Sequence, residues 1–235
     1  MNTTVVMKQR LVLAIILLVS VLQLRAQGIM VNLKNGTNVK FSSEDVESIS
    51  TYGYDSPHTG FINGHEYVDL GLPSGTLWAT CNVGAIKPED YGDYYTWGET
   101  STKVDYDYVY HEGFLESSDI AGTNNDVAHV KWGGGWRMPT REQFQELIDN
   151  TIITQTKLNN ISGILFKSKI YKTSIFLPKA GWIYERVKQD VGDRCHYWSS
   201  THVSKSTDSY FLYNTHLSTY SYYYGKSVRP VLKNK

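Results

Sequence analysis

From residue 151 to the C-terminus the chain is a succession of short runs rich in alternating apolar residues: TIITQTKL, GILFK, SIFLP, GWIY, HYWSST, SYFLY and SVRPVL, separated by Gly, Asn, Lys and Ser. Runs of this length and period favour strands, because successive side chains of a strand face opposite sides of the sheet. Helix signals are concentrated in one place. In MPTREQFQELID, Thr140 is an N-cap with Gln143 three residues on, as in a capping box, and Phe144, Leu147 and Ile148 share a face. The expectation is a β-rich α+β domain with one clear helix over about 140–150 and long loops.

Upstream, HEYVDLGLPSGTLWATCNVG predicts strands around Tyr67–Leu70 and Thr76–Val83 joined by a Pro-Ser-Gly turn, and DYYTWGE a further short strand. Residues 100–130 hold few apolar anchors and read as an irregular excursion. Nearer the N-terminus, IMVNL and NVKF flank Asn35-Gly36, the strongest short hairpin signal. SSEDV then offers a capped turn before a third run, VESIS. Residues 27–51 therefore form a small hairpin module, and 52–64 have the turn residues of a linker.

The compartment is set by the first 26 residues. Lys8 and Arg10 precede the apolar run LVLAIILLVSVLQL, and Ala26 supplies the small residue of a cleavage site: the pattern of a secretory signal peptide. The run is short for a bilayer and is interrupted by Ser20 and Gln23, so no membrane span is expected after its removal. Those 26 residues carry three basic and no acidic side chains, leaving 20 basic against 23 acidic and a net charge of −3. That argues against nucleic acid as a partner, which demands a basic surface. In an extracytoplasmic chain, Cys81 and Cys195 are either one disulfide, worth about 4–5 kcal/mol by loop-closure entropy, or two buried thiols. The residues leave both open.

Six blocks, in order, carry a family resemblance: YVDLGLPSGTLWATCNVGA, PEDYGDYYTWGE, WGGGWRMPTREQFQELI, SIFLPKAG, YWSST and SVRPV. Over residues 65–233 the chain resembles the Fibrobacter succinogenes major paralogous domain family, extracytoplasmic proteins widespread in Bacteroidetes. The resemblance implies the C-type-lectin-like fold in the variant shared with formylglycine-generating enzymes, a twisted antiparallel sheet whose loops build a binding face. It does not imply that enzyme's activity, since its close cysteine pair near the C-terminal sheet is not reproduced: only Cys195 lies in that half.

Other chemistries also lack their residues. There is no Gly-x-Ser-x-Gly elbow, and the seven histidines (58, 65, 111, 129, 196, 202, 216) lack paired zinc spacing. His196 beside Cys195 is not a base beside a thiol, because strand neighbours point to opposite faces. WGGGWRMP lacks the Lys-Ser/Thr of a phosphate loop, so its glycines are read as a bend between two tryptophans. The motifs of calcium-dependent lectins are absent. EDYGD (Glu89–Asp93) is read first as a turn, with a structural calcium ion as the alternative. No catalytic residue, metal site or cofactor is expected. The six tryptophans are read as core rather than a sugar-stacking platform.

One segment stands out against this framework. Of the sixteen residues Ser209 to Tyr224, six are Tyr and seven are Ser, Thr, Asn or His. That composition is closer to an antibody loop than to a core strand. In the fold that the resemblance implies, this region presents the ligand-binding face, and members of the fold are targets of diversity-generating retroelements, which turn AAY codons into those for Tyr, His, Ser, Thr, Asp, Phe or Leu. Candidate ligand-binding residues are Tyr210, Tyr213, Asn214, His216, Ser218, Tyr220, Tyr222, Tyr223 and Tyr224, and the partner is a protein or a glycan. The plainer alternative is that Tyr and Ser pair across half-buried strands. At the level of function, the alternatives to a binding module are a structural subunit of a surface assembly and an enzyme with an unrecognised site.

Overall fold

The computed structural model describes residues 28–32, 38–42, 58–107 and 118–233. The chain divides into two units, Met1–Gly53 and Tyr54–Lys235. In the first, β1 (Gly28–Asn32) and β2 (Asn38–Ser42) pair antiparallel from Gly28↔Ser42 to Asn32↔Asn38, as the intervening Asn-Gly predicts. The leader, the turn and run after Ser42, and residues 52–57 of the expected linker lie outside the described residues.

The second unit begins earlier than the sequence suggests. β3 (Thr59–Ile62) pairs with β4 (His65–Asp69) through Asn63 and Gly64, both at positive φ (50° and 79°). Residues 59–64 are therefore a hairpin and not a linker, with an Asn-Gly pair at its turn. β5 (Thr76–Ala79) adds to β4, and β15 (Val231–Lys233) adds to β5, so a C-terminal strand closes a four-stranded sheet with early ones. Two antiparallel meanders follow in sequence: β6 (Thr151–Leu158), β7 (Ile161–Ser168) and β8 (Ser174–Pro178), then β11 (His196–His202), β12 (Asp208–Tyr213) and β13 (His216–Ser221). A small sheet of order β10 (Val187–Gln189), β9 (Trp182–Tyr184), β14 (Gly225–Lys226) completes the strands described. The protein is β-rich α+β.

The predicted helix is α2 (Arg141–Asn150). Thr140 Oγ1 accepts from Gln143 N at 3.2 Å, and Gln143 Oε1 accepts from Thr140 N at 2.9 Å, so the capping box is complete. A shorter helix, α1 (Val127–Trp132), ends the stretch read as irregular. Its cap Asp126 is buried and accepts four backbone N–H groups, from Ala128, His129, Gly122 and Met138. Residues 108–117 of that stretch lie outside the described residues. Two further strand expectations shorten. β5 stops at Ala79, because Arg229 takes the carbonyls of Ala79 and Thr80. DYYTWGE contributes only an isolated bridge, Tyr95↔Lys226. Gly133, Gly134 and Gly135 all have positive φ (57°, 58° and 91°), turning the chain so that Trp132 and Trp136 meet edge to face at 5.2 Å.

Two cores flank β11. Trp97, Trp136, Trp198 and Tyr222 belong to one, and Trp78, Phe144, Cys195 and Tyr197 to the other. Alternation along β11 sends Trp198 one way and Cys195 and Tyr197 the other. Five tryptophans are core, as expected; Trp182 is only half-buried. Arg229 of the SVRPV block is fully buried and makes four hydrogen bonds: Nε donates to Asn82 Oδ1 at 2.8 Å, and its other nitrogens to the carbonyls of Ala79, Thr80 and Phe176. Among the described residues, no helix is long and apolar enough to cross a membrane.

A candidate ligand-binding cleft

Register fixes what the second meander presents. β12 pairs with β13 as Tyr213↔His216, Phe211↔Ser218 and Ser209↔Tyr220, and β11 pairs with β12 as His196↔Tyr213 and Trp198↔Phe211. Residues directly opposite in an antiparallel pair share a face. His196, Trp198, Phe211, Tyr213, His216, Ser218 and Tyr220 therefore lie on one side of the sheet, and Tyr210, Leu212 and Leu217 on the other. The members of this first set other than Trp198, which is core, are joined by Trp182 and Asp190 from the β9–β10 hairpin and its exit and line a cleft of about 310 Å³.

Aromatic rings make the cleft's walls. His196 stacks on Phe211 with ring centroids 5.4 Å apart and 8° between planes, and Tyr213 and Trp182 flank it. Trp182 meets Tyr220 and Tyr224 edge-on, and those two tyrosines stack at 4.6 Å. Tyr184 and Tyr223 extend the cluster beyond Tyr224. Tyr220 keeps 43% of its surface exposed. The polar groups are few. Asp190 Oδ2 accepts from Trp182 Nε1 at 3.1 Å and lies 3.4 Å from His196 Nε2. Burial, with Lys226 nearby, pushes the His196 imidazole down to about 4 against the pull of Asp190, so at neutral pH it is the uncharged ring.

Behind the rings lies Lys226. Its register partner is Trp182. Its side chain is completely buried, and Nζ has no hydrogen-bond partner. Instead Nζ sits over the faces of four rings: Trp198 at 3.7 Å, Phe211 at 4.6 Å, Tyr220 at 5.1 Å and Tyr224 at 5.5 Å. Burial drives its pKa well below the ordinary lysine value, with Asp208 as the opposing charge. Ring faces are attractive to an ammonium, worth about 2 kcal/mol or more when desolvated, and so resist that shift without replacing lost water.

The nine candidate residues separate accordingly. Tyr213, His216, Ser218 and Tyr220 line the cleft, and Tyr223 and Tyr224 form its aromatic rim. Three do not belong. Tyr210 faces the opposite side, under the Arg141 guanidinium at 4.9 Å, in a separate groove along α2. Asn214 is a turn residue at φ 53°: its Oδ1 accepts from Cys195 N at 3.0 Å and its N–H donates to Cys195 O at 3.1 Å. Tyr222 is 1% exposed and packs in the first core. The strand ends at Ser221, so parity does not carry Tyr220, Tyr222 and Tyr224 onto one face.

Sequence reasoning passed over Trp182, Asp190, His196, Phe211 and Lys226. The opposite facing of Cys195 and His196 was readable from alternation, but the pairing that brings β9 and β14 to the meander is non-local. The disulfide considered for Cys81 and Cys195 is not formed. Each thiol has its own carbonyl partner, Ile86 O for Cys81 and Leu177 O for Cys195, both at 3.5 Å. Burial pushes the Cys195 thiol up to about 12. In EDYGD, Asp90 accepts from the N–H groups of Ile86 and Lys87, and Asp93 from the Tyr95 hydroxyl, which makes the segment a turn. Among the described residues no group of His, Cys, Asp and Glu is arranged to hold a metal ion.

Comparison of the chain with family models, with curated proteins and with solved structures gives no match.

Proposed function

We propose that this chain is an exported ligand-binding module whose binding face is the aromatic cleft between the β9–β10 hairpin and the β11–β13 meander. One observation carries the reading. Half-exposed rings from separate elements, Trp182, Tyr220 and Tyr224, converge at an open cleft with a small number of polar groups, and none of the three belongs to either core. Clefts of this make-up are the usual form of ligand sites, and exposed aromatic patches mark interaction surfaces. The ligand is a glycan or a protein, held without a bound cofactor.

The C-type-lectin-like architecture and membership of the major paralogous domain family belong to the same proposal. The closure of β15 on β5 and the presentation of the face by the last meander support them. Diversification by a retroelement is supported by the division of labour within residues 201–224. Tyr213, His216, Ser218 and Tyr220 face the cleft, while Leu212 and Tyr222 are core. A near-copy of these codons beside a reverse transcriptase gene is the genomic observation that checks it.

The binding reading is tested on an array of defined glycans and proteins, probed with the wild-type chain and a Trp182→Ala, Tyr220→Ser double variant. The wild type is expected to mark specific spots that the variant loses while its melting temperature barely changes. No specific spot for the wild type, or identical spots for the variant, would overturn the reading.

A further inference from the structure

The chain buries an amine with nothing to bond to, directly behind the rings that floor its cleft. Phe211 and Tyr220 line the cleft on one side and contact Lys226 Nζ on the other. Buried polar groups are normally satisfied, and three residues away Arg229 shows that this chain can give a buried cationic side chain four acceptors. A lysine desolvated in an apolar pocket has the environment that turns a charged ammonium into a nucleophilic amine. The covering rings are not anchored to the backbone by their hydroxyls. Tyr220 and Tyr224 stack on each other, and the Tyr224 hydroxyl meets that of Tyr223 at 3.5 Å. On the cleft floor, neither ring nitrogen of the buried His196 makes a hydrogen bond, and the Asp190 carboxylate lies 3.4 Å from Nε2.

We propose that Lys226 is a covalent capture site for an aldehyde-bearing ligand, which enters through the cleft, displaces the Tyr220–Tyr224 lid and is held as an imine. The Nζ lone pair attacks the carbonyl carbon, the π electrons move to oxygen, and an N–H proton is relayed to that oxygen. The resulting carbinolamine loses its hydroxyl with a second proton as water, and the nitrogen lone pair closes the C=N bond. Amine and aldehyde give imine and water, with no redox change. The relay assigned to both protons is His196, the titratable ring on the cleft floor, with the Asp190 carboxylate 3.4 Å from its Nε2. The proposal rests on the cleft being the ligand entrance, but it does not depend on which glycan or protein the cleft prefers.

The test uses glycolaldehyde with cyanoborohydride on the full chain, followed by proteolysis and mass spectrometry of the reduced adducts. Lys226 is expected to be labelled more heavily than the exposed Lys87 and Lys172. Tyr220→Ala should speed the labelling severalfold and His196→Gln should slow it, while Lys226→Met removes that adduct and keeps the melting temperature. Labelled Lys87 and Lys172 with an unlabelled Lys226 would overturn the proposal, and so would an adduct that forms only once Tyr220 is truncated, because the native lid then stays shut. The small probe reports on the amine alone, so either failure leaves the array result of the binding reading intact.

Discussion

Lys226 and Arg229 lie three residues apart, both fully buried, and the fold treats them in opposite ways. The guanidinium of Arg229 donates to four acceptors and ties β5 to β8, so truncating it leaves buried acceptors without a donor, at about 1–3 kcal/mol each. Lys226 is held only by ring faces, and replacing a buried polar group that makes no hydrogen bond by an apolar side chain of similar volume is neutral or stabilising. Lys226→Met is therefore expected to melt at or above the wild-type temperature at pH 7, and a clearly lower one would mean that the rings hold a charged ammonium that stabilises the fold. His196 gives a pH signature. The unfolded chain takes up its proton near the ordinary imidazole value of 6.5 and the folded chain only near 4, so stability is lost as pH falls through that interval. A shift of this size amounts to on the order of 3 kcal/mol at full development. His65 and His202 are lowered in the same direction by burial, so His196→Phe should make urea midpoints between pH 6.5 and 4 less steep in pH without flattening them.

At the scale of elements, local signals were legible and non-local ones were not. The Thr140 cap, the Gln143 reciprocal bond and the first Asn-Gly hairpin are set by residues within a few positions of each other, and all three are present. Thr140→Ala should therefore lower stability by about 1 kcal/mol in a urea titration. An unchanged midpoint would mean that the cap contributes nothing. α1 was missed because six residues carry little periodicity and its cap, Asp126, spends its carboxylate on residues as far away as Met138. The end of β13 shows what alternation alone misjudges. Tyr222 N donates to Thr207 O, the strand turns, and the Tyr222 ring drops into the core while Tyr220 and Tyr224 stay outside. Tyr222→Ser should cost about 3 kcal/mol or more, as for a large buried ring, and Tyr220→Ser less than about 1 kcal/mol. Equal costs would contradict the assignment of faces.

Across the whole molecule, the framework and the binding face draw on different parts of the composition. Tryptophans, aliphatic residues and Arg229 fill two cores on either side of β11, and the tyrosine-rich segment contributes to both the first core and the cleft. That double use is why the segment was recognisable as unusual while three of its nine candidate residues were not what they looked like. Of the rest of the cleft, Phe211 follows from alternation with Tyr213 along β12, whereas Trp182, Asp190 and His196 are placed by strand pairings across the second unit that no short-range pattern encodes. The most direct measurement is calorimetric titration of the strongest array ligand into wild type, the Trp182→Ala, Tyr220→Ser double variant and Tyr210→Ser. Anchors of this kind carry roughly 2 kcal/mol each, about thirtyfold in affinity. The double variant is expected to lose measurable binding, and Tyr210→Ser, altered on the opposite face, to keep the wild-type affinity. Undiminished binding by the double variant, or loss in Tyr210→Ser alone, would contradict the placement of the site.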